Sequence, residues 1–203
     1  MTAPPNPPPA PSNLKPMTLA LAGVAVLAAA TAILPPDYRP WNAAALGALA
    51  LFASARLRLP VALGVFGLAL AVKELGVYLQ FGFDPHPATW LCFAVYLALG
   101  WALLRNTESP LRIGGVTLAA SLLFFLVTNF GSWLEQALPY GYSLEGLLNC
   151  YAAAVPFYRG TLVGDVFFSA ALFGAHAALS RVYFPAERVG AVAEEVRDTE
   201  GHW

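Results

Sequence analysis

Charge is what this chain lacks most. Only 11% of its 203 residues are Asp, Glu, Lys or Arg, against about 25% in soluble domains. So few charges cannot cover a water-exposed surface, and the 58% hydrophobic content places the chain among membrane proteins. The net charge of -1 excludes the basic surface that nucleic acid requires. Cysteine is scarce too: Cys92 and Cys150 stand alone, without CxxC or Cys/His spacing, and are expected to be unpaired. No GxxxxGK[ST], HExxH or GxSxG segment occurs, so the chain has no P-loop for ATP and neither of those hydrolase signatures. No cofactor, metal or enzymatic chemistry is expected.

Proline is abundant where it does not support a helix. Residues 1–16 are proline-rich and nearly uncharged, the composition of a disordered tail. Apolar runs near the ~20 residues that cross a bilayer then follow, at 17–34, 41–57, 61–83, 89–104, 113–134 and 161–184. Pro35 and Pro36, Pro60, then Pro85 and Pro87 punctuate them. Between the fifth and sixth runs lies a weakly amphipathic segment, 143–158, with Ser143 as N-cap and Pro156 limiting its end. It is too short and polar to span, so a surface or re-entrant helix is expected there. The fold class is all-α: a polytopic bundle of six transmembrane helices at 17–184, followed by a charged tail at 185–203.

Lysine and arginine orient the bundle. Lys15, Arg56 and Arg58, Arg105 and Arg112, and Arg181, Arg188 and Arg197 share one side of a six-helix topology. Both termini are then cytoplasmic and the location is the inner (cytoplasmic) membrane. Tyr38, Trp41, Trp90, Trp133, Tyr140 and Tyr142 form an aromatic belt at the outer interface.

Within the apolar runs three groups stand out: Glu74, Asn129 and Asp165. A charge at membrane depth costs roughly 2.5–3.5 kcal/mol, so such groups face a cavity, a partner or a substrate. This topology puts all three toward the outer end, with Asn42, Lys73, Thr128, Ser132 and Trp133 nearby. Asp165, Ser169, Leu172 and His176 recur at helical spacing and form one face of the sixth helix. Asp165 and His176 lie some 16 Å apart along the axis, too far for one acid–base pair. Simpler roles stand beside the functional ones. Asp165 can pair with Lys73, Asn129 can join helices, His176 can pack, and Glu74 can be hydrated. The small residues Ala25, Ala28, Ala29 and Ala32, then Ala43, Ala44, Gly47 and Ala48, suit close helix packing or a partner subunit.

Three motifs in the second half carry a resemblance: TNFGSWL at 128–134, GLLNCYAAAVPF at 146–157 and TLVGDVFFSAALFG at 161–174. They resemble an uncharacterised family of bacterial membrane transport proteins. That family is similar in turn to the substrate-binding (S) components of energy-coupling factor vitamin transporters. The resemblance implies a six-helix bundle with an outer pocket under loops. It also implies as partners a transmembrane coupling subunit and a pair of ATPases. Lys73 and Glu74 stand where the family has a small residue and an aspartate. The expected function is an integral membrane subunit that captures a small, vitamin-like ligand in an outward-facing polar pocket. Asp165, Asn129, Glu74, Trp133, Tyr151, Ser169 and Asn42 are the expected binding residues. The alternative is a structural scaffold that docks membrane partners and holds no ligand.

Overall fold

Small residues make the central helix. The segment α1, Leu46–Arg56, is almost entirely Leu, Ala, Gly and Ser, and every residue from Leu46 to Ala55 is buried. A helix that is apolar on all sides belongs inside a bundle, and here the small side chains let neighbours reach its backbone. A Cβ added at Gly100 would collide with Ser54 Oγ and the Leu51 carbonyl of α1. The small residues Gly47 and Ala48 thus serve packing within the bundle.

The computed structural model describes residues 45–82, 87–136 and 138–182. Around α1 stand α2, Leu59–Phe81; α3, Pro87–Leu99, continued by a π-helical turn at Gly100–Leu104; α4, Pro110–Leu134; and α5, Leu144–Val182. The described residues are all helical, without strands. Four of the five helices are long and apolar enough to cross a membrane, and α1 is a shorter apolar helix. The expected first helix at 17–34, both tails and Asn42 lie outside the described residues.

Local signals set the helix ends. Gly82, at φ 67°, takes the left-handed conformation that closes α2. Ser109 caps α4 through its side chain, with Pro110 in the first turn. Ser143 Oγ accepts the Gly146 N–H at 3.0 Å and caps α5, the role expected for it.

One expectation is corrected here. Segment 143–158 is not a separate surface or re-entrant helix, because α5 runs unbroken for 39 residues through Pro156. Its physical support is α4. The Phe125 ring lies 5.6 Å from Tyr151 and 4.6 Å from Tyr158, one on each side of the proline. Both halves of α5 therefore rest on one surface. In an apolar medium, ending the helix would strand carbonyls that water cannot reach. At 1.5 Å per residue α5 is about 58 Å long, well beyond the ~30 Å hydrocarbon core of a bilayer.

That continuity moves Asp165. It stands about six turns into α5, not at the outer end of a helix that begins near 161, and Ser121, at the middle of α4, lies beside it. Asp165 is therefore at mid-depth of the α4–α5 hairpin. The core around it is aromatic: Phe93 lies 5.4 Å from Phe66 and 5.6 Å from Phe124, and Phe52 lies 5.2 Å from Phe173.

Candidate functional site

The buried face of α5 carries the polar groups of the bundle. Asp165, Ser169, Leu172, His176 and Ser180 are all buried, at the three- and four-residue spacing of one helix face. Two polar layers result, one at mid-depth and one toward the arginine-bearing end.

The mid-depth layer is built on Asp165, which is 2% exposed. Tyr96 donates its hydroxyl to Asp165 Oδ2 at 2.7 Å, the short geometry of a charge-assisted bond. Ser121 and the Ala48 backbone also lie beside the carboxylate, with the Ser121 hydroxyl buried and not hydrogen-bonded. Ala48 is in the first turn of α1, where backbone N–H groups have no partner in their own helix and the dipole favours an anion. Gly47 makes this approach possible, since a Cβ there would collide with Asp165 Oδ1 and lie 2.6 Å from the Tyr96 ring. Asp165 thus ties α1, α3 and α4 to α5. Among the described residues no cation pairs with it. Lys73 instead pairs with its neighbour Glu74 at 2.9 Å.

The second layer opens into a cavity of about 440 Å³ between α4, α5 and the end of α1, within the size range of small-molecule sites. Thr117 and Ser169 line its inner part, where Thr117 Oγ1 donates to Ser169 Oγ at 3.2 Å. His176, Arg56, Glu108 and Arg181 line it toward the arginine-bearing end. Arg56 closes the end of α3. Its Nη1 donates to the Leu104 carbonyl at 2.7 Å and its Nη2 to the Thr107 carbonyl at 2.6 Å. The guanidinium carbon also lies 5.0 Å from the Phe173 ring centre, within cation–π range. Arg56 Nε and Glu108 Oε1 are buried without a protein hydrogen-bond partner.

Two glycines stand on the cavity wall. Gly114 of α4 and Gly174 of α5 both line it, and a Cβ at either meets nothing within 4 Å. Each glycine costs its helix about 1 kcal/mol relative to alanine, and no close approach is gained in return.

The remaining expected residues fall elsewhere. Asn129 donates Nδ2 to the Phe125 carbonyl of its own helix at 2.7 Å. Trp133 Nε1 donates to the Gly141 carbonyl at 3.0 Å, and the Tyr151 hydroxyl to the Leu126 carbonyl at 2.9 Å. Trp133 and Tyr151 hold the far end of the α4–α5 hairpin, while the Asn129 side chain bonds within α4. Glu74 is on α2, which packs on α1 and touches α3 through the Phe66 and Phe93 rings. Of the expected set, the structure joins Asp165 and Ser169 on one buried face and Asn129, Trp133 and Tyr151 in a second cluster, with Glu74 apart. Cys92 and Cys150 are buried and free. No group of three or more His, Cys, Asp or Glu is placed to hold a metal among the described residues.

Tyr96, Arg56, Glu108 and Thr117 were not singled out for a site from sequence. Tyr96 had a signal: a hydroxyl at the centre of an otherwise apolar run, at the depth of Asp165. Arg56 and Glu108 had none, since each falls at a loop margin where a charge is ordinary.

The fold and its buried polar face describe a helical, membrane-inserted protein. The chain belongs to a family of unknown function, DUF6580, which matches residues 12–188. No curated protein and no solved structure matches it.

Proposed function

We propose that the protein is an integral membrane subunit that binds a small, nutrient-like molecule for transport, comparable to the S components of energy-coupling factor transporters. The observation that carries this reading is the cavity of about 440 Å³ beside a buried polar face, with Gly114 and Gly174 on its walls. A bundle that needed only to pack would fill such a space with side chains. The six-helix topology in the cytoplasmic membrane, with both termini and the arginine-bearing end in the cytoplasm, belongs to the same proposal; the cavity then lies toward the cytoplasmic side, not at the outer end where the binding pocket was expected. With no P-loop in the chain, the energy source is a separate pair of ATPases reached through a transmembrane coupling subunit. Among the expected binding residues Ser169 lines the cavity, while Asp165 positions α5 one turn away.

One observation favours the scaffold reading. Asp165 is hydrogen-bonded by Tyr96 and packed closely against Gly47 of α1, as a structural carboxylate would be. Gentle purification from native membranes separates the two. The binding-subunit reading expects co-purifying ATPase subunits and a retained small molecule. A protein that isolates empty, with membrane partners but no ATPase, supports the scaffold and refutes transport.

A further inference from the structure

Two side chains on the cavity wall keep hydrogen-bond donors within reach of a ligand. Arg181 lines the cavity with 61% of its side chain exposed. Its approach to Glu108, at 3.7 Å, is too long for a hydrogen bond, so the guanidinium donors remain open. His176 also lines the cavity, is 5% exposed, and packs its ring against Phe52 at 5.8 Å. Its ring nitrogens have no hydrogen-bond partner among the described residues. An imidazole carries at least one N–H in either protonation state, so His176 offers a donor whatever its charge. Arg56 adds charge but no reachable donor: its terminal nitrogens hold the Leu104, Arg105 and Thr107 carbonyls, and its Nε is buried. Arg56, Arg181 and Glu108 are the charged residues on the wall, two cations against one anion, which leaves a net charge of +1. Deeper in, the wall turns apolar at Ile113, Val166 and Phe173, with Thr117 and Ser169 already bonded to each other.

We infer that this cavity is the ligand site and that it takes a small amphipathic anion, an apolar body bearing one carboxylate-type head. The head meets the open donors of Arg181 and His176, and the body lies against Ile113, Val166 and Phe173. An ionised carboxylate only accepts hydrogen bonds, and planar guanidinium donors match its two oxygens. One negative charge also cancels the excess positive charge of the wall, which is costly to leave unpaired at membrane depth. A neutral amide would leave that excess in place. An ammonium would double it. Glu108 sets the upper limit, since a second negative charge on the ligand would find it unbalanced. This inference rests on the small-molecule reading above and adds the place and the chemical class.

The test uses the full-length protein in mild uncharged detergent and three probes of matched shape: 4-phenylbutyrate, 4-phenylbutanamide and 4-phenylbutylammonium. Binding is measured by saturation-transfer NMR for the native protein, Arg181→Gln, Arg112→Gln and Gly174→Leu. Arg112 is exposed at the start of α4 and does not line the cavity, so its variant controls for a general attraction of anions to the basic end. The native protein is expected to bind the carboxylate about tenfold more tightly than the amide or the ammonium. Arg181→Gln should remove most of that preference and Arg112→Gln should keep it. Gly174→Leu, which adds a side chain to the wall, should lose at least about tenfold of the carboxylate binding with its circular dichroism unchanged. Gly114→Leu, on the facing helix, repeats the test if Gly174→Leu does not fold. Equal binding of the three probes, or tighter binding of the amide or the ammonium, would overturn the anionic class. A preference that survives Arg181→Gln, or falls as far in Arg112→Gln, would overturn the site, as would binding untouched by both leucine variants. A native molecule that is uncharged, or that both leucine variants retain, would overturn this inference and leave the binding-subunit reading intact. A native anionic phospholipid lost from the leucine variants would support the site and its charge class and overturn the nutrient reading. A native protein that carries nothing and binds no probe overturns both.

Discussion

Replacing Asp165 with alanine removes the one carboxylate that joins four helices. The Tyr96 hydroxyl, 2.7 Å from Oδ2, loses its acceptor in a core where no water reaches it. A hydrogen bond to a charged group contributes about 1.5–3 kcal/mol, and an orphaned buried hydroxyl costs about 1–3 kcal/mol more. Relief of the buried charge offsets part of this, leaving a net loss of about 2–4 kcal/mol. Tyr96→Phe alone removes the donor and costs about 2 kcal/mol. The double variant has no orphaned hydroxyl. It should therefore be about as stable as Asp165→Ala, with a coupling energy of about 1–2 kcal/mol. Reversible unfolding in mixed detergent micelles, followed by circular dichroism, measures all four proteins. Additive losses, or an Asp165→Ala protein as stable as the native one, would refute the assignment of Tyr96 and Asp165 as one unit.

Three further outcomes are expected. Gly100→Val pushes a branched side chain into the Leu51 backbone and Ser54 and should cost about 3 kcal/mol or more; a native-like unfolding midpoint would contradict the α1–α3 contact. Arg56→Gln strands the Leu104 and Thr107 carbonyls and should cost about 2–4 kcal/mol, measured by the same unfolding assay, whereas an unchanged midpoint would show that the clamp is idle. Pro156→Ala restores a backbone donor inside α5 and should raise stability by about 1 kcal/mol, with the spin-label distance from residue 148 to residue 163 preserved. A loss of stability there would mean that the proline geometry is required.

The polar face of α5 was legible in the sequence because Asp165, Ser169, Leu172 and His176 repeat at the helical period, and periodicity survives any error in the helix start. Their depth was not legible. It depended on where the helix begins, and Pro156 with the polar residues around Asn149 marks an end by local rules. The aromatic clasp of Phe125 on Tyr151 and Tyr158 overrides those rules through tertiary contact, which no local window contains. The runs at 61–83, 89–104 and 113–134 appear as helices within a few residues of their expected bounds, since long apolar stretches bounded by proline, glycine and arginine leave little alternative. The pairing of Lys73 was open from sequence, and adjacency to Glu74 decides it. The gathering of Arg56, Glu108 and Arg181 at one end follows the charge asymmetry that oriented the helices. That the same end holds a cavity was not legible, since its wall residues Gly114 and Gly174 look in sequence like any small residues of a membrane helix.

Ligand binding is tested most directly by quantitative mass spectrometry of small molecules released from gently purified protein, native and Gly174→Leu side by side. The expected result is one small molecule near stoichiometric amount in the native protein and its loss from the folded variant. Equal amounts in both, or none in either, would contradict a ligand site in this cavity.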